Sequence, residues 1–421
     1  MKKIYLHLMA LICLLLCGGV NAWATIYTWQ VPTTLSGEND YTDYNGTFGQ
    51  RYSNQDVKIP DVPIYYLLSN YHGNSAYDKT YHGLKISWVG YASSYLKSTE
   101  DGYVQLSIER VKHSSYADSR LNNLWIGVYD ENGTLITRCT PGVVQTSRGT
   151  GNYMFFKMDA GKYYKIEGSI AGRLKKIIFY TTDEITSIVL DENDSNEDNQ
   201  DAIPSSITTD RVYVSIKRTL KSGQWNTFCL PVGMSSSFMS ECFGCNSVYE
   251  MNNYSSGGGE GNLTFTSKSN LTAGNPCLIK VPFDVVNPTF ITTNKTTAKT
   301  PATVSPSSGS GIKFTGVYGT ENIYTSDNQT FFMDSEGYLL YPTSNDGTIK
   351  GFRAYFQWAN ASVKNLSFTF DGTETGIKMV DKDIFQENGN VYSIDGRFVG
   401  NSTENLTRGI YIQNGRKFVV K

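Results

Sequence analysis

The sequence predicts an all-β protein: an N-terminal jelly-roll-like β-sandwich, a second β-rich sandwich module and a short C-terminal β tail. Three observations carry this. The 421 residues include 29 Tyr and 39 Gly with only 18% charged residues, a mixture that suits pleated half-buried surfaces and turns. Apolar and polar residues alternate over short segments, whereas helix-period stretches of any length are hard to find. Turn-forming residues such as Asn132-Gly133 punctuate these segments.

The elements follow in chain order. Met1-Lys-Lys, an apolar run from Ile4 to Leu16 and Ala22-Trp-Ala24 read as a signal peptide cleaved after Ala24. Cys17 sits as a lipobox cysteine would, but Leu16 stands where a small residue should precede it, so plain cleavage is expected. No later segment approaches about 20 apolar residues, so no transmembrane segment is expected in the mature chain.

Residues 25–190 read as the first sandwich. Val104–Glu109 alternates, Leu124–Tyr129 and Thr134–Arg138 flank the Asn132-Gly133 turn, and Tyr153–Met158, Lys162–Glu167 and Leu174–Tyr180 close the set. Residues 191–202 hold almost no apolar side chain and read as a solvated acidic linker. A calcium loop is the rival reading, but the ordered spacing and turn glycine of such loops are missing. Residues 203–373 form the second module, with one short helix over Ser235–Cys242, a flexible strand connection at Gly257-Gly-Gly259 and an exposed loop over Thr292–Gly311. Residues 374–421 form the tail, read as two β-hairpins.

Five cysteines follow the signal peptide. Cys229, Cys242, Cys245 and Cys277 cluster in the second module and are candidate disulfide partners, with three pairings open and plain core thiols as the alternative. Cys139 is the odd one out and is expected to be a buried small apolar residue.

The tail phrases Val391–Val399 and Leu406–Lys421 resemble the C-terminal sorting tails of Bacteroidetes proteins exported by the type IX secretion system, through Tyr392, Gly396, Val399, Gly409, Tyr411, Gly415 and Lys421. The Pro-Asn-Pro segment usual at the start of such tails is missing between Thr373 and Asn390. The phrases around Trp225-Asn-Thr227 and Arg353-Ala-Tyr-Phe356 resemble a β-rich module that often precedes these tails. The resemblance implies a secreted or outer-surface protein that meets the export machinery. It implies no activity, because the module has none agreed.

Chemistry is sparse. A net charge of −2 argues against a nucleic-acid partner. The exported chain keeps His72, His82 and His113, none in a zinc-binding spacing, and it lacks a G-x-S-x-G elbow and a phosphate-binding loop. No catalytic residue, cofactor or metal is therefore expected; calcium has no supporting motif.

Tyrosine is the better lead. Many tyrosines fall between Tyr41 and Tyr103, among them Tyr65 and Tyr95, and Tyr71-His-Gly73 recurs as Tyr81-His-Gly83. Aromatic faces stack on sugar rings while hydroxyls bond their edges. Tyr71, His72, Tyr77, Tyr81, His82 and Trp88 are accordingly the candidate ligand residues. The plainer alternative is that these rings are strand formers making cross-strand pairs. The expected function is non-catalytic glycan binding. An adhesin or structural surface protein contacting host or matrix protein is the alternative, and a carbohydrate-active enzyme comes third.

Overall fold

The computed structural model describes residues 26–30, 56–69, 77–78, 83–88, 92–110, 125–139, 152–168, 172–257, 260–306, 311–325, 329–334, 339–342, 347–358, 365–378, 390–393, 397–400, 406–413 and 416–420. Strands dominate, and the protein is all-β as expected. The signal-peptide residues and His113 lie outside the described residues.

The first unit is a sandwich made from one sheet folded over itself. Its strands are β1 (Ile26–Gln30), β2 (Val57–Lys58), β3 (Ile64–Ser69), β4 (Tyr77–Asp78), β5 (Gly83–Trp88), β6 (Ala92–Ser98), β7 (Gly102–Arg110), β8 (Ile126–Tyr129), β9 (Leu135–Cys139), β10 (Asn152–Met158), β11 (Tyr163–Gly168) and β12 (Gly172–Thr181). The order is β10-β7-β12-β5-β6-β11-β8-β9, with β1 beside β12, β4 beside β5, β3 beside β6 and β2 beside β3. One half-sheet sends Val104, Leu106, Ile108, Met154, Phe156, Ile177 and Phe179 inward. The other sends Ile64, Tyr66, Leu96, Ile126, Val128 and Ile166 to meet them. Period-two alternation produces this, since successive side chains leave opposite faces of a strand. The predicted β8–β9 hairpin is present: Asp130 Oδ1 accepts from Asn132 N at 2.9 Å and Thr134 N at 2.8 Å, and Gly133 takes a positive φ of 81°.

The chain crosses into the second unit earlier than expected. Ile185–Asp191 (β13) pairs in parallel with Arg211–Lys217 (β14), which pairs in turn with Thr289–Thr292. The second sandwich faces a six-stranded sheet against a five-stranded one. Phe265, Phe368 and Phe370 from the first meet Phe314, Phe331 and Phe356 from the second. Phe314 and Phe356 stack at 4.4 Å between ring centroids. Thr373–Lys378 pairs with Asn365–Phe370, so the expected boundary after 373 cuts through a strand of this unit.

Residues 191–202 are not a solvated linker. Asn196–Asp201 forms helix α1, with Ser195 as N-cap accepting from Asp198 N at 3.1 Å. Asn199 is 1% exposed. It accepts from Asp191 N at 3.0 Å and donates to Asp191 O at 2.8 Å and Tyr318 O at 2.9 Å. Asn196 Oδ1 accepts from Tyr318 N at 3.0 Å and Gly319 N at 2.9 Å. Glu192 pairs with Arg353 at 2.8 Å and Lys350 at 3.6 Å. Polar side chains closing on backbone groups order this stretch, where apolar burial could not.

The expected helix in the module is present as α2 (Ser236–Phe243), capped by the Ser235 hydroxyl and ended by Gly244 in the left-handed region. Val248–Gly257 and Glu260–Lys268 pair as a hairpin across the expected glycine connection. In the expected loop, Thr293–Thr296 is exposed, but Thr292 is a buried strand end and Thr303–Val304 pairs with Ile312–Val317. The tail forms a four-stranded sheet from the two expected hairpins, Val391–Ser393 with Phe398–Gly400 and Gly409–Gln413 with Arg416–Val420.

The two sandwiches dock through the outer face of the β10-β7-β12 half-sheet. Tyr103 meets Tyr213 at 4.9 Å between rings, Arg211 lies over the Tyr180 ring at 5.2 Å, and Thr289 Oγ1 donates to Phe155 O. The opposite outer face is left uncovered by this docking except at its β9 edge, where Asn287 donates to Leu135 O at 3.5 Å and Asp284 supports the charge of Arg138.

Candidate functional site

That uncovered face, built by β2, β3, β6, β11, β8 and β9, carries the most chemistry among the described residues. Antiparallel registers place its side chains in rows across the strands. One row is Lys58, Tyr65, Lys97 and Tyr163, each directly opposite the next. A second is Leu67, Tyr95, Lys165, Tyr129 and Leu135. A third is Glu167, Gly127 and Arg138. Their neighbours along each strand, Ile64, Tyr66, Leu96, Tyr164, Ile166 and Val128, are buried, so alternation itself turns the rows outward.

The rows are knit together. Tyr163 donates its hydroxyl to Asp56 Oδ2 at 2.7 Å, and Lys97 Nζ reaches the same hydroxyl at 3.5 Å and Asp56 at 3.6 Å. Lys97 also lies over the Tyr163 ring at 4.7 Å, Lys58 over Tyr65 at 5.2 Å and Arg138 over Trp125 at 4.7 Å. Tyr95 meets Tyr163 edge-on at 6.5 Å. Lys165 pairs with Glu167. Gly127 lets the rings crowd the backbone: a Cβ there would sit 3.2 Å from Tyr129 and 3.3 Å from Trp125.

Charge states follow from these contacts. The hydrogen bond to Asp56, then partial burial, holds the Tyr163 hydroxyl above its usual range, and burial followed by Glu167 does the same for Tyr129. The hydrogen bond to Tyr163 raises Lys97, and the one to Glu167 raises Lys165. At neutral pH the face therefore presents neutral tyrosine hydroxyls beside charged lysines. Half-exposed rings with an apolar body and a polar tip suit a flat ligand lying across the strands.

Most of the sequence-predicted ligand residues lie outside the described residues. Tyr71, His72, Tyr81 and His82 lie outside the described residues. Tyr77 pairs opposite Leu84 in the β4–β5 hairpin, and Trp88 pairs opposite Ala92 at the start of β6. Tyrosine density does not by itself mark a surface, because Tyr66 and Tyr103 are core residues at 1% and 5% exposure. Sequence reasoning missed Trp125, Tyr129 and Tyr163 with their lysines. The signal was present in Tyr163-x-Lys165-x-Glu167 and Tyr95-x-Lys97, each a polar-tipped set at every second residue.

The candidate disulfide residues Cys229, Cys242, Cys245 and Cys277 are all free thiols. Cys229 donates to Gly274 O at 3.2 Å, and both it and Cys277 are fully buried in the core. Burial pushes Cys242 and Cys277 well up and Cys245 to about 11, so they act as small apolar groups. The Cys139 side chain lies outside what is described. Of the tail residues, Tyr392, Val399, Gly409 and Tyr411 sit in strands, whereas Gly396, Gly415 and Lys421 lie outside the described residues. Among the described residues no helix is long and apolar enough to cross a membrane. No group of three His, Cys, Asp or Glu residues among them could hold a metal ion.

No family model matches the chain, and no curated protein matches it. Among solved structures, it is similar to the K1 cleaved adhesin domain of Lys-gingipain (Kgp) from Porphyromonas gingivalis W83. The identity is 11%, the match covers 38% of this chain and 99% of that one, and the TM-score is 0.18. A TM-score so low carries no argument about function.

Proposed function

We propose that this is an exported, non-catalytic surface protein whose first sandwich binds a glycan on the outward face of β3, β6, β11 and β8. The observation that carries the reading is the register: Tyr65, Tyr95, Tyr129 and Tyr163 occupy adjacent strands on one face, interleaved with Lys97 and Lys165. With strands about 4.8 Å apart, Tyr65 and Tyr163 stand about 10 Å apart across Lys97, as do Tyr95 and Tyr129 across Lys165, and Tyr95 meets Tyr163 edge-on at 6.5 Å. A binding role also fits the face's carboxylates, since Asp56 and Glu167 are engaged by Lys97 and Lys165 rather than free for acid–base work.

The test is binding of the whole protein to an array of plant, mucin and microbial glycans, with Tyr95→Ala and Tyr163→Ala as site variants. Tyr153→Ala is the control, exposed on the other half-sheet. Loss of about tenfold or more in affinity for each site variant, with the control unchanged, is expected for anchor rings. Unaltered binding in both site variants would remove this face from consideration.

A second reading, an adhesin contacting protein, is favoured by a different observation. The tail sheet exposes Tyr392, Phe398, Val399 and Ile410. Exposed apolar side chains grouped on one small sheet are a common mark of protein contact. Protein capture that survives the Tyr95→Ala and Tyr163→Ala changes would support it.

A further inference from the structure

We propose that the glycan site is anchored at its β9 end, where Trp125, Tyr129 and Arg138 meet over Gly127, and that Asp284 of the second unit is the positioning residue that fixes this end for a neutral sugar. This rests on the glycan reading above and adds the place where the ligand is gripped and the class of sugar that suits it.

Register builds the corner. Ile126 and Val128 are fully buried, so Trp125, Gly127 and Tyr129 turn to the outer face, and Arg138 stands directly opposite Gly127 on β9. Glycine leaves room there for both rings, since a Cβ would lie 3.2 Å from Tyr129 and 3.3 Å from Trp125. The Arg138 guanidinium lies over the Trp125 ring at 4.7 Å. All three side chains are half-buried. An indole offers a larger stacking surface than a phenol, and with Tyr129 beside it this end is the broadest aromatic area of the face.

The second unit braces that corner. Asn287 donates to Leu135 O at 3.5 Å, and Thr289 Oγ1 donates to Thr137 Oγ1 at 3.1 Å, so β9 is held at two points just before Arg138. The same segment begins at Asp284, whose carboxylate is itself fixed by Lys221 Nζ at 2.8 Å and Ser222 N at 2.9 Å. Burial holds Arg138 below its ordinary range, while Tyr129 and then Asp284 support its charge. A guanidinium carries five donors in one plane and no acceptor. With its charge answered from behind by Asp284, it can give its N–H groups to the hydroxyls of a neutral sugar and needs no anion. The other lysines of the floor are answered too, Lys97 by Asp56 and Lys165 by Glu167. Ligand sites also gather where two units meet.

The test uses the full chain labelled with fluorotryptophan, followed by fluorine NMR and titrated with neutral β-linked oligoglucose and oligogalactose. Trp125→Ala assigns the Trp125 resonance. Asp284→Asn keeps the shape of the side chain and removes its charge; it should move that resonance alone and weaken binding of a neutral probe about tenfold. Asp284→Glu should restore both, with melting temperature as the check on folding. Arg138→Lys removes the planar cover of the indole, should move the same resonance, and decides the matter if Asp284→Asn unfolds. Affinity should change less than about twofold between about 0.05 and 0.5 M NaCl, because salt screens little where no net charge is read. A Trp125 resonance unmoved in both Asp284→Asn and Arg138→Lys would overturn the positioning role, whatever binds. Binding lost in Tyr95→Ala but unchanged in Trp125→Ala would overturn the anchor and leave the glycan reading standing. An array that answers only with acidic glycans would overturn the neutral class. A moved resonance with neither probe bound and a silent array would sink the glycan reading and the anchor with it.

Discussion

Replacing Asn199 with leucine tests whether residues 191–202 are part of the fold or a tether. The two side chains are similar in size, so the change removes polar bonds with little change in packing. One backbone N–H (Asp191) and one carbonyl (Tyr318) lose the Asn199 partner in a site where Asn199 is 1% exposed, while Asp191 O keeps the bond from Asp194 N at 3.2 Å. A buried polar group left unsatisfied costs about 1–3 kcal/mol, and carbonyls tolerate the loss better than N–H groups. The sum is about 2–4 kcal/mol, a large part of the roughly 5–15 kcal/mol that a domain has in total. Urea unfolding followed by tryptophan emission should show it, since Trp225 and Trp358 both lie in the second sandwich. Limited proteolysis should agree, with slow cleavage between 191 and 202 in the parent and fast cleavage in the variant. A loss below about 0.5 kcal/mol, the range of ordinary surface changes, with the parent already nicked there, would refute the reasoning and restore the tether.

Other expectations follow from the same contacts. A Cβ at Gly319 would lie 2.1 Å from the Ser195 carbonyl carbon and 2.2 Å from Asn196 N, so Gly319→Ala should displace the start of α1 and cost about 1–3 kcal/mol by denaturation, as overpacking does; a neutral result would contradict this contact. The thiols of Cys229, Cys242, Cys245 and Cys277 should react with a thiol reagent at pH 8 only on unfolding, because burial raises all four; rapid labelling of the native protein would count against these positions. Burial opposes ionisation of Asp284, yet the hydrogen bonds from Lys221 and Ser222 prevail and hold its pKa below the usual 3.8. A depressed carboxylate contributes stability above its unfolded pKa and loses it as pH falls through the folded value. The melting difference between parent and Asp284→Asn should therefore stay flat from about pH 7 to 5 and shrink below about pH 4; a change confined to pH 5–7 would contradict the assignment.

The strands were legible because their signal is local. Val104–Glu109 alternates, and it, Tyr153–Met158, Lys162–Glu167 and Leu174–Tyr180, each a short apolar-rich run bounded by turns, are strands within one or two residues of the reading. The capped helix after Ser235 and the turn at Asn132-Gly133 were legible for the same reason. The acidic stretch was not, because its order comes from partners more than a hundred residues away: Tyr318 and Gly319 for Asn196, and Arg353 for Glu192. Composition reports what a segment can bury, not which backbone groups its side chains can close on. The Trp-Asn-Thr and Arg-Ala-Tyr-Phe phrases now have physical roles. Trp225 stacks on Phe370 at 4.1 Å, Asn226 holds the turn from Lys221 to Gln224, and Thr227 O accepts from buried Arg218 at 2.8 Å. Arg353 anchors Glu192, and Phe356 centres the aromatic core. These residues build the second unit, so the phrases serve its packing and not its chemistry.

The location of the candidate site follows from how that module is used. A sandwich has two outer faces, and strand alternation fills both with half-polar side chains whether or not they bind anything. Here one face is spent on docking: Tyr103, Phe155 and Tyr180, which point away from the first core, belong to the same buried cluster as Tyr213, Val214 and Ile291. An apolar outer face explained by a neighbouring unit needs no ligand. The other face has a different composition. Apart from Leu67 and Leu135, its rows carry rings tipped with hydroxyls, lysines lying over those rings, and two carboxylates each held by a lysine. Such a surface is too polar to need a covering domain and too aromatic to be only a solvated face. The contrast between the two faces of one sheet, more than the number of tyrosines in the chain, is what singles out β3, β6, β11 and β8.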